Sequence, residues 1–219
     1  MARGKKPTPE QPRIEPEVLQ RINRGIILRT GAYLTNDHFV LPSGRHTAEF
    51  VEKALVTTEP AFTEGLGEVI AKHFAEYPVD VVAAAGPGAV ILGHCVARVH
   101  AGRPRLLYAT KRRNAAGGAE VVLPKEFLPL IQEGTKVLIV EDIVTTGRTI
   151  RLLQEAVETR GGRVIGIGTI WTRDRSVTFG PPLFTLIDKE FRTYDRSECP
   201  MCRKGIPING DYGHGEPDE

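Results

Sequence analysis

No stretch of this 219-residue chain approaches the roughly 20 consecutive apolar residues of a membrane-crossing helix, so a membrane-spanning role is not expected. Cysteine is scarce as well. There are three, two of them crowded at Cys199 and Cys202, too few for the disulfide framework of a small secreted domain. The basic residues among the first 16 positions lead into no apolar segment, so no secretory signal is expected and the cytoplasm is the default compartment. Charge of one sign is missing too. Twenty-nine basic residues stand against 27 acidic ones, a formal net charge of +2, whereas gripping a nucleic acid takes a concentrated basic face. Neither nucleic acid nor membrane is an expected partner, and an anionic ligand should be small and locally held.

An apolar fraction of 41% and a charged fraction of 26% allow a buried core and exclude wholesale disorder. Residues 1–16 hold four prolines among polar residues and read as a mobile tail; residues 209–219 read as a second one, and 17–208 as a single domain. Apolar residues recur at helical spacing over 17–28 and again over 59–77. From there strands and helices alternate. Residues 79–85 read as an apolar strand, interrupted only by Asp80 and closed by Gly86-Pro87-Gly88, and 89–100 follow as a helix. Residues 105–110 form a short strand, 136–140 a β-branched one, 148–160 a helix, 164–171 a strand, and 183–187 a last strand. Strands without polar alternation are buried on both faces. The fold class is therefore α/β, a central, mostly parallel sheet flanked by helices, and the crossovers should be right-handed. From Glu198 onward the chain is turn-rich and reads as a surface tail.

The segment that carries chemistry is Val137-Leu138-Ile139-Val140-Glu141-Asp142-Ile143-Val144-Thr145-Thr146-Gly147-Arg148-Thr149-Ile150. A buried strand delivers two carboxylates to its C-terminal end, where ligands of open α/β sheets bind. A loop of hydroxyl residues and one glycine then opens a helix, whose first turn offers N–H groups and a positive dipole to an anion. Glu141 and Asp142 would repel a phosphate but suit the hydroxyls of a sugar. A ligand with a phosphate at one end and a vicinal diol next to it satisfies both halves. The plainer alternative is a turn in which Asp142 and Thr145 only cap the helix.

The run from Glu141 to Thr149 resembles the signature of the type I phosphoribosyltransferases, which bind phosphoribosyl pyrophosphate (PRPP). The resemblance implies that Glu141 and Asp142 hold the ribose hydroxyls. It places the 5′-phosphate on Thr145, Thr146, Gly147, Arg148 and Thr149, with Ile143 and Val144 also among the PRPP-binding residues, although a small residue is more usual at 148. Other segments resemble the orotate phosphoribosyltransferase branch: Gly31-Ala32-Tyr33-Leu34, then Phe39-Val40-Leu41-Pro42-Ser43-Gly44-Arg45-His46, then Asp174-Arg175, then Cys199-Pro200-Met201-Cys202. Resemblance to this branch implies a small hood built from 17–58 and the C-terminal part, Mg2+ carried by the substrate, a homodimer, and transfer of the phosphoribosyl group to orotate. Arg175 and Thr145 are then expected at the base. The turn at Ala85 and Gly86 is expected at the pyrophosphate, and Lys111 and Arg112 open a lid over it, with Lys111 catalytic beside Glu141 and Asp142. Two departures bear on the base. Pro42 stands where a lysine is usual, and no histidine follows Lys111 within the lid. Lys53, His46 and Arg45 are the cations that could compensate, while a purine or unusual heterocycle as acceptor, or a PRPP-sensing regulator, are the alternatives. Cys199 and Cys202 have zinc-knuckle spacing, but a structural zinc takes four ligands. With no second cysteine pair, Cys95 in a helix and only His214 downstream, no protein-held metal is expected.

Overall fold

The computed structural model describes residues 15–41, 43–113, 119–174 and 176–213. The chain opens with α1 (Pro16–Arg29), runs through the hairpin β1 (Tyr33–Val40) and β2 (His46–Val51), and continues in the short α2 (Lys53–Val56) and α3 (Pro60–His73). Then come β3 (Val81–Ala85), α4 (Pro87–Val99), β4 (Arg105–Arg113), β5 (Ala119–Val122), β6 (Lys136–Val144), α5 (Arg148–Glu158), β7 (Arg163–Thr172) and β8 (Leu183–Asp188). A two-residue β9 (Thr193–Tyr194) and the one-turn α6 (Pro200–Arg203) end the described chain.

Six strands make the central sheet in the order β5-β4-β3-β6-β7-β8. All neighbours are parallel except β4 and β5. The apolar runs account for this. Every residue of β3 is buried, and alternate residues of each strand feed opposite faces. Val82, Leu138 and Val140 pack with Ile70 and Phe74 around α3 and with Leu92 and Val96 of α4. Val81, Ala83, Val137 and Ile139 pack instead with Ile150, Leu153 and Val157 of α5. Phe74 can lie on β7 because Gly166 has no side chain; a Cβ there would stand 2.4 Å from the ring.

The strand order places the site. From β3 the chain crosses by α4 to β4 on one side, then returns to β6 on the other. The helices after β3 and β6 consequently cover opposite faces, and a crevice opens between the two strand ends. Above it, β1, β2 and β9 form a separate antiparallel sheet, the hood that the family resemblance implies.

Two segments differ from the expectation. The strand expected over 105–110 runs on to Arg113 and pairs with β5, so Lys111, Arg112 and Arg113 belong to a hairpin. The chain after Glu198 is no surface tail: Cys199 is wholly buried and Met201 nearly so, and Asn209 N–H donates to the His38 carbonyl at 2.7 Å. Cysteine and methionine are apolar enough to dock under the hood, which a count of turn formers does not reveal. Phe74 is fully buried, and Phe74→Ala is expected to cost about 3–5 kcal/mol by leaving a cavity over Gly166. Denaturant midpoints of the two proteins check this, and a loss below about 1 kcal/mol would contradict the packing described.

Candidate functional site

Glu141 and Asp142 lie on the last part of β6, both 4% exposed. Two adjacent carboxylates at this depth require nearby cations, and these arrive from separate elements. Lys111 Nζ of β4 stands 3.5 Å from Glu141 Oε1, and Lys53 Nζ at the start of α2 stands 3.5 Å from Asp142 Oδ2. Asp142 Oδ1 accepts the Ile143 N–H at 2.7 Å, and the Asp142 carbonyl accepts the Thr169 hydroxyl at 3.0 Å. Glu141 Oε2 is buried with no partner among the described residues. Burial first, and then the charge of Asp142, push the Glu141 carboxyl up to about 8, against the opposing pull of Lys111.

The Gly86 turn at the end of β3 closes one side of the acid pair. Its backbone, at φ 93° and ψ 154°, lies in a region open essentially to glycine. A Cβ on Gly86 would be 3.2 Å from Lys111 Nζ, and one on Gly88 would be 2.4 Å from Asp142 Oδ2. Backbone, lysine and carboxylates thus converge on one spot. Ala85, just before the turn, is fully buried.

The loop after β6 closes the other side. Gly147, at φ 71°, caps α5; a Cβ there would be 2.7 Å from Phe179 and 2.8 Å from Val177. Thr146 accepts Arg151 Nη1 on its carbonyl at 2.6 Å, while Thr145 and Thr146 themselves are exposed. Glu141 and residues 143–150, with Arg148 and Thr149 among them, line a small concavity of about 40 Å³. No acidic residue stands in the first turn of α5, so nothing in that turn itself offsets the pull of the helix dipole on an anion.

A larger cavity of about 380 Å³ lies between hood and sheet. Leu41, Ser43 and Arg45 line it from the β1–β2 turn, Arg173 and Asp174 from the end of β7, and Thr145 and Thr146 from the loop. The two threonines line both cavities, so a single ligand pair can span them. Arg173 is the residue that the sequence pattern did not single out. Its guanidinium sits 5.3 Å from the Phe50 ring centroid and 5.1 Å from that of Phe191, and Nη2 donates to the Val51 carbonyl at 3.2 Å. Burial pulls its pKa down to about 10, with Asp142 and Glu52 opposing, so it stays charged at neutral pH. An arginine directly before an Asp-Arg pair was the one available signal.

The other expected residues divide by element. Arg175 and Pro42 lie outside the described residues, as do residues 114–118 of the expected lid and His214. Lys53 faces Asp142 and does not line the larger cavity. Arg45 lines it while bound to Asp195 at 2.7 Å and to Thr193. Arg112 pairs with Glu120 across the β4–β5 hairpin at 2.5 Å, on the opposite face of the strand from Lys111. His46 points away from the cavity and meets His38, Cys199 and Cys202. The second ligand pair that Cys199 and Cys202 lack in sequence is thereby present in space.

A family model described as "Phosphoribosyl transferase domain" matches residues 55–184, and the chain belongs to this phosphoribosyltransferase family. Within it, curated relatives bear the name orotate phosphoribosyltransferase. One from Caldanaerobacter subterraneus subsp. tengcongensis is 35% identical over 88% of this chain and 90% of its own. One from Thermus thermophilus is 37% identical over 82% of this chain and 94% of its own. Among solved structures, orotate phosphoribosyltransferase of Mycobacterium tuberculosis H37Rv with inorganic phosphate aligns at a TM-score of 0.55 and 20% identity, covering 80% of this chain and 96% of that one. Adenine phosphoribosyltransferase of Rhodothermus marinus aligns at 0.58 and 18% identity over 80% and 99%; at these identities the likeness concerns the fold.

Because the Glu141 carboxyl titrates higher in the folded chain than its ordinary 4.5, its contribution to stability is complete below that value and is lost as pH rises through about 8. Glu141→Gln removes the buried charge. The melting temperature of this variant, relative to the parent, is expected to climb steadily over that window; a difference independent of pH would contradict the assignment.

Proposed function

We propose that this protein transfers the 5-phosphoribosyl group of PRPP to orotate, releasing pyrophosphate and forming orotidine 5′-phosphate in pyrimidine biosynthesis. The observation that carries this reading is the buried Glu141–Asp142 pair under a hydroxyl loop, beside a cavity walled by a fixed cation. The names of the curated relatives support orotate as the acceptor.

In this reading, Glu141 and Asp142 accept hydrogen bonds from the ribose 2′- and 3′-hydroxyls, and the orphaned Glu141 Oε2 gains a donor. The amides and hydroxyls of 145–149 hold the 5′-phosphate. Lys111 and the Gly86 turn take the pyrophosphate, which leaves C1 with the electron pair of the C–O bond. Positive charge then grows on the sugar above the acid pair, and N1 of the base supplies the new pair to C1 while its proton passes to the departing pyrophosphate. Positioning and fixed charge do the catalysis. The guanidinium of Arg173 faces the orotate carboxylate, a match of fork and carboxylate, and the family resemblance adds Arg175. Magnesium fits beside this donor set: brought in mainly by PRPP, it would be held by Glu141 and Asp142 and would neutralise leaving-group charge. The hood and the β4–β5 hairpin keep water from the cationic sugar. The family resemblance further supports a homodimer.

A spectrophotometric assay with PRPP and magnesium tests the reading, with orotate, uracil, hypoxanthine and adenine in parallel. Orotate alone should be consumed. Arg173→Met should raise the KM for orotate about tenfold to hundredfold, the worth of one charge-assisted hydrogen bond of about 1.5–3 kcal/mol, and leave the KM for PRPP nearly unchanged. Turnover of another base in place of orotate would overturn the acceptor.

A further inference from the structure

Away from the acid pair, four side chains from opposite ends of the chain meet under the hood: His38, His46, Cys199 and Cys202. Their facing atoms all lie within 4.8 Å of one another. His38 Nε2 is 3.6 Å from Cys199 Sγ, 3.7 Å from Cys202 Sγ and 2.7 Å from His46 Nδ1, and His46 Nδ1 is 3.5 Å from Cys202 Sγ. A tetrahedral zinc with bonds of about 2.3 Å to sulfur and about 2.0 Å to nitrogen sets its N–S edges at about 3.5 Å. All three N–S distances given match that figure. The N–N edge is shorter than a zinc site's, so the two rings would part slightly around an ion.

We propose that these four residues form a structural zinc site that fastens the C-terminal segment to the hood. Three observations support an ion over a plain hydrogen-bonded cluster. First, the other nitrogen of His38 donates to the Ile206 carbonyl at 2.7 Å, because a carbonyl can only accept. That contact leaves Nε2 as the ring atom aimed into the cluster, the usual arrangement for a metal-bound histidine with an outer partner on its other nitrogen. Second, three groups converge on that one nitrogen, which can make one hydrogen bond along its axis and not three; one cation at the centre serves all four ligands. Third, His38, His46 and Cys199 are each at most 3% exposed, with Cys202 partly exposed at the rim. The site thus has an entry path but no open coordination position, which is the structural rather than the catalytic type. Two thiolates with two imidazoles favour zinc over magnesium.

Local structure explains the geometry. His38 and His46 flank the β1–β2 turn, with ring centroids 4.9 Å apart. Pro200 starts the single turn of α6, and the three-residue spacing puts Cys199 and Cys202 on the same side of it. The turn between the two histidines carries Leu41, Ser43 and Arg45, which line the larger cavity. The zinc would fix that wall at a distance, with no contact to substrate.

Metal analysis of the purified full chain, expressed with zinc supplied, should find about one zinc per chain, as a four-ligand site demands. Cys199→Ser and His46→Ala should each bring the content to near zero. Because either variant could fail to fold, the same protein without substitution is stripped with a chelator and titrated with Co2+. Tetrahedral ligand-field bands with sulfur-to-cobalt charge transfer should appear and then vanish on adding Zn2+. Thiol reagent should modify Cys202 rapidly only in the stripped form. Less than a tenth of an equivalent of zinc together with no cobalt spectrum would overturn the proposal, and so would a Cys199–Cys202 disulfide found by mass in the isolated protein.

Discussion

Two neighbouring carboxylates at the end of a fully buried strand are electrostatically costly, and much of the structure is arranged around that cost. Glu141 and Asp142 are each only 4% exposed, and like charges so close resist simultaneous ionisation. Lys53 comes from the segment after the hood hairpin, Lys111 from the far strand β4, and Arg173 from the neighbouring strand β7. These three elements are separate in sequence, and the acid pair is where they meet. A pushed-up Glu141 carboxyl and an unpartnered Oε2 are the signs of a site built for a ligand that brings its own donors and positive charge.

The strand order gives that ligand its place. The turn after β3 and the loop after β6 face each other because the chain switches direction between them. Each loop holds a glycine in a conformation that side chains rarely adopt, Gly86 and Gly147, so each brings its backbone close. The small concavity beside Glu141 and the larger cavity under the hood then share Thr145 and Thr146, which is what the proposed reading needs for a sugar phosphate and a base side by side. The hood supplies the remaining wall, and its hairpin turn is tied at the base by the histidine and cysteine cluster.

The parts legible in the sequence were those where one local pattern has one physical cause. The short apolar, β-branched runs within residues 79–85 and 136–140, each bounded by turn formers, fit buried strands, and they appear as β3 and β6. The acid pair followed by Thr-Thr-Gly marked the loop, since strand, anion cradle and helix start are adjacent in the chain. Contacts between distant segments were not legible. Arg173 owes its position to Phe50 and Phe191, which no spacing connects to it. His38 and His46 are far in sequence from Cys199 and Cys202, so the knuckle looked incomplete. The hood strands are mixed in polarity, with β1 running from partly exposed residues to a buried end, and lack the apolar signal of the core. The basic run at 111–113 read as loop because charge suggests solvent, yet an edge hairpin lets such residues alternate outward.

The central claim is that the buried acid pair grips the sugar of PRPP. Calorimetric titration of the parent protein and of Asp142→Asn with PRPP and magnesium, repeated in two buffers of different ionisation enthalpy, tests it most directly. The account predicts that binding to the parent near neutral pH releases a proton, as Glu141 gives up the one its burial favours, and that Asp142→Asn weakens binding at least about tenfold, about 1.4 kcal/mol. Equal affinity in the two proteins, with no difference between the buffers, would contradict it.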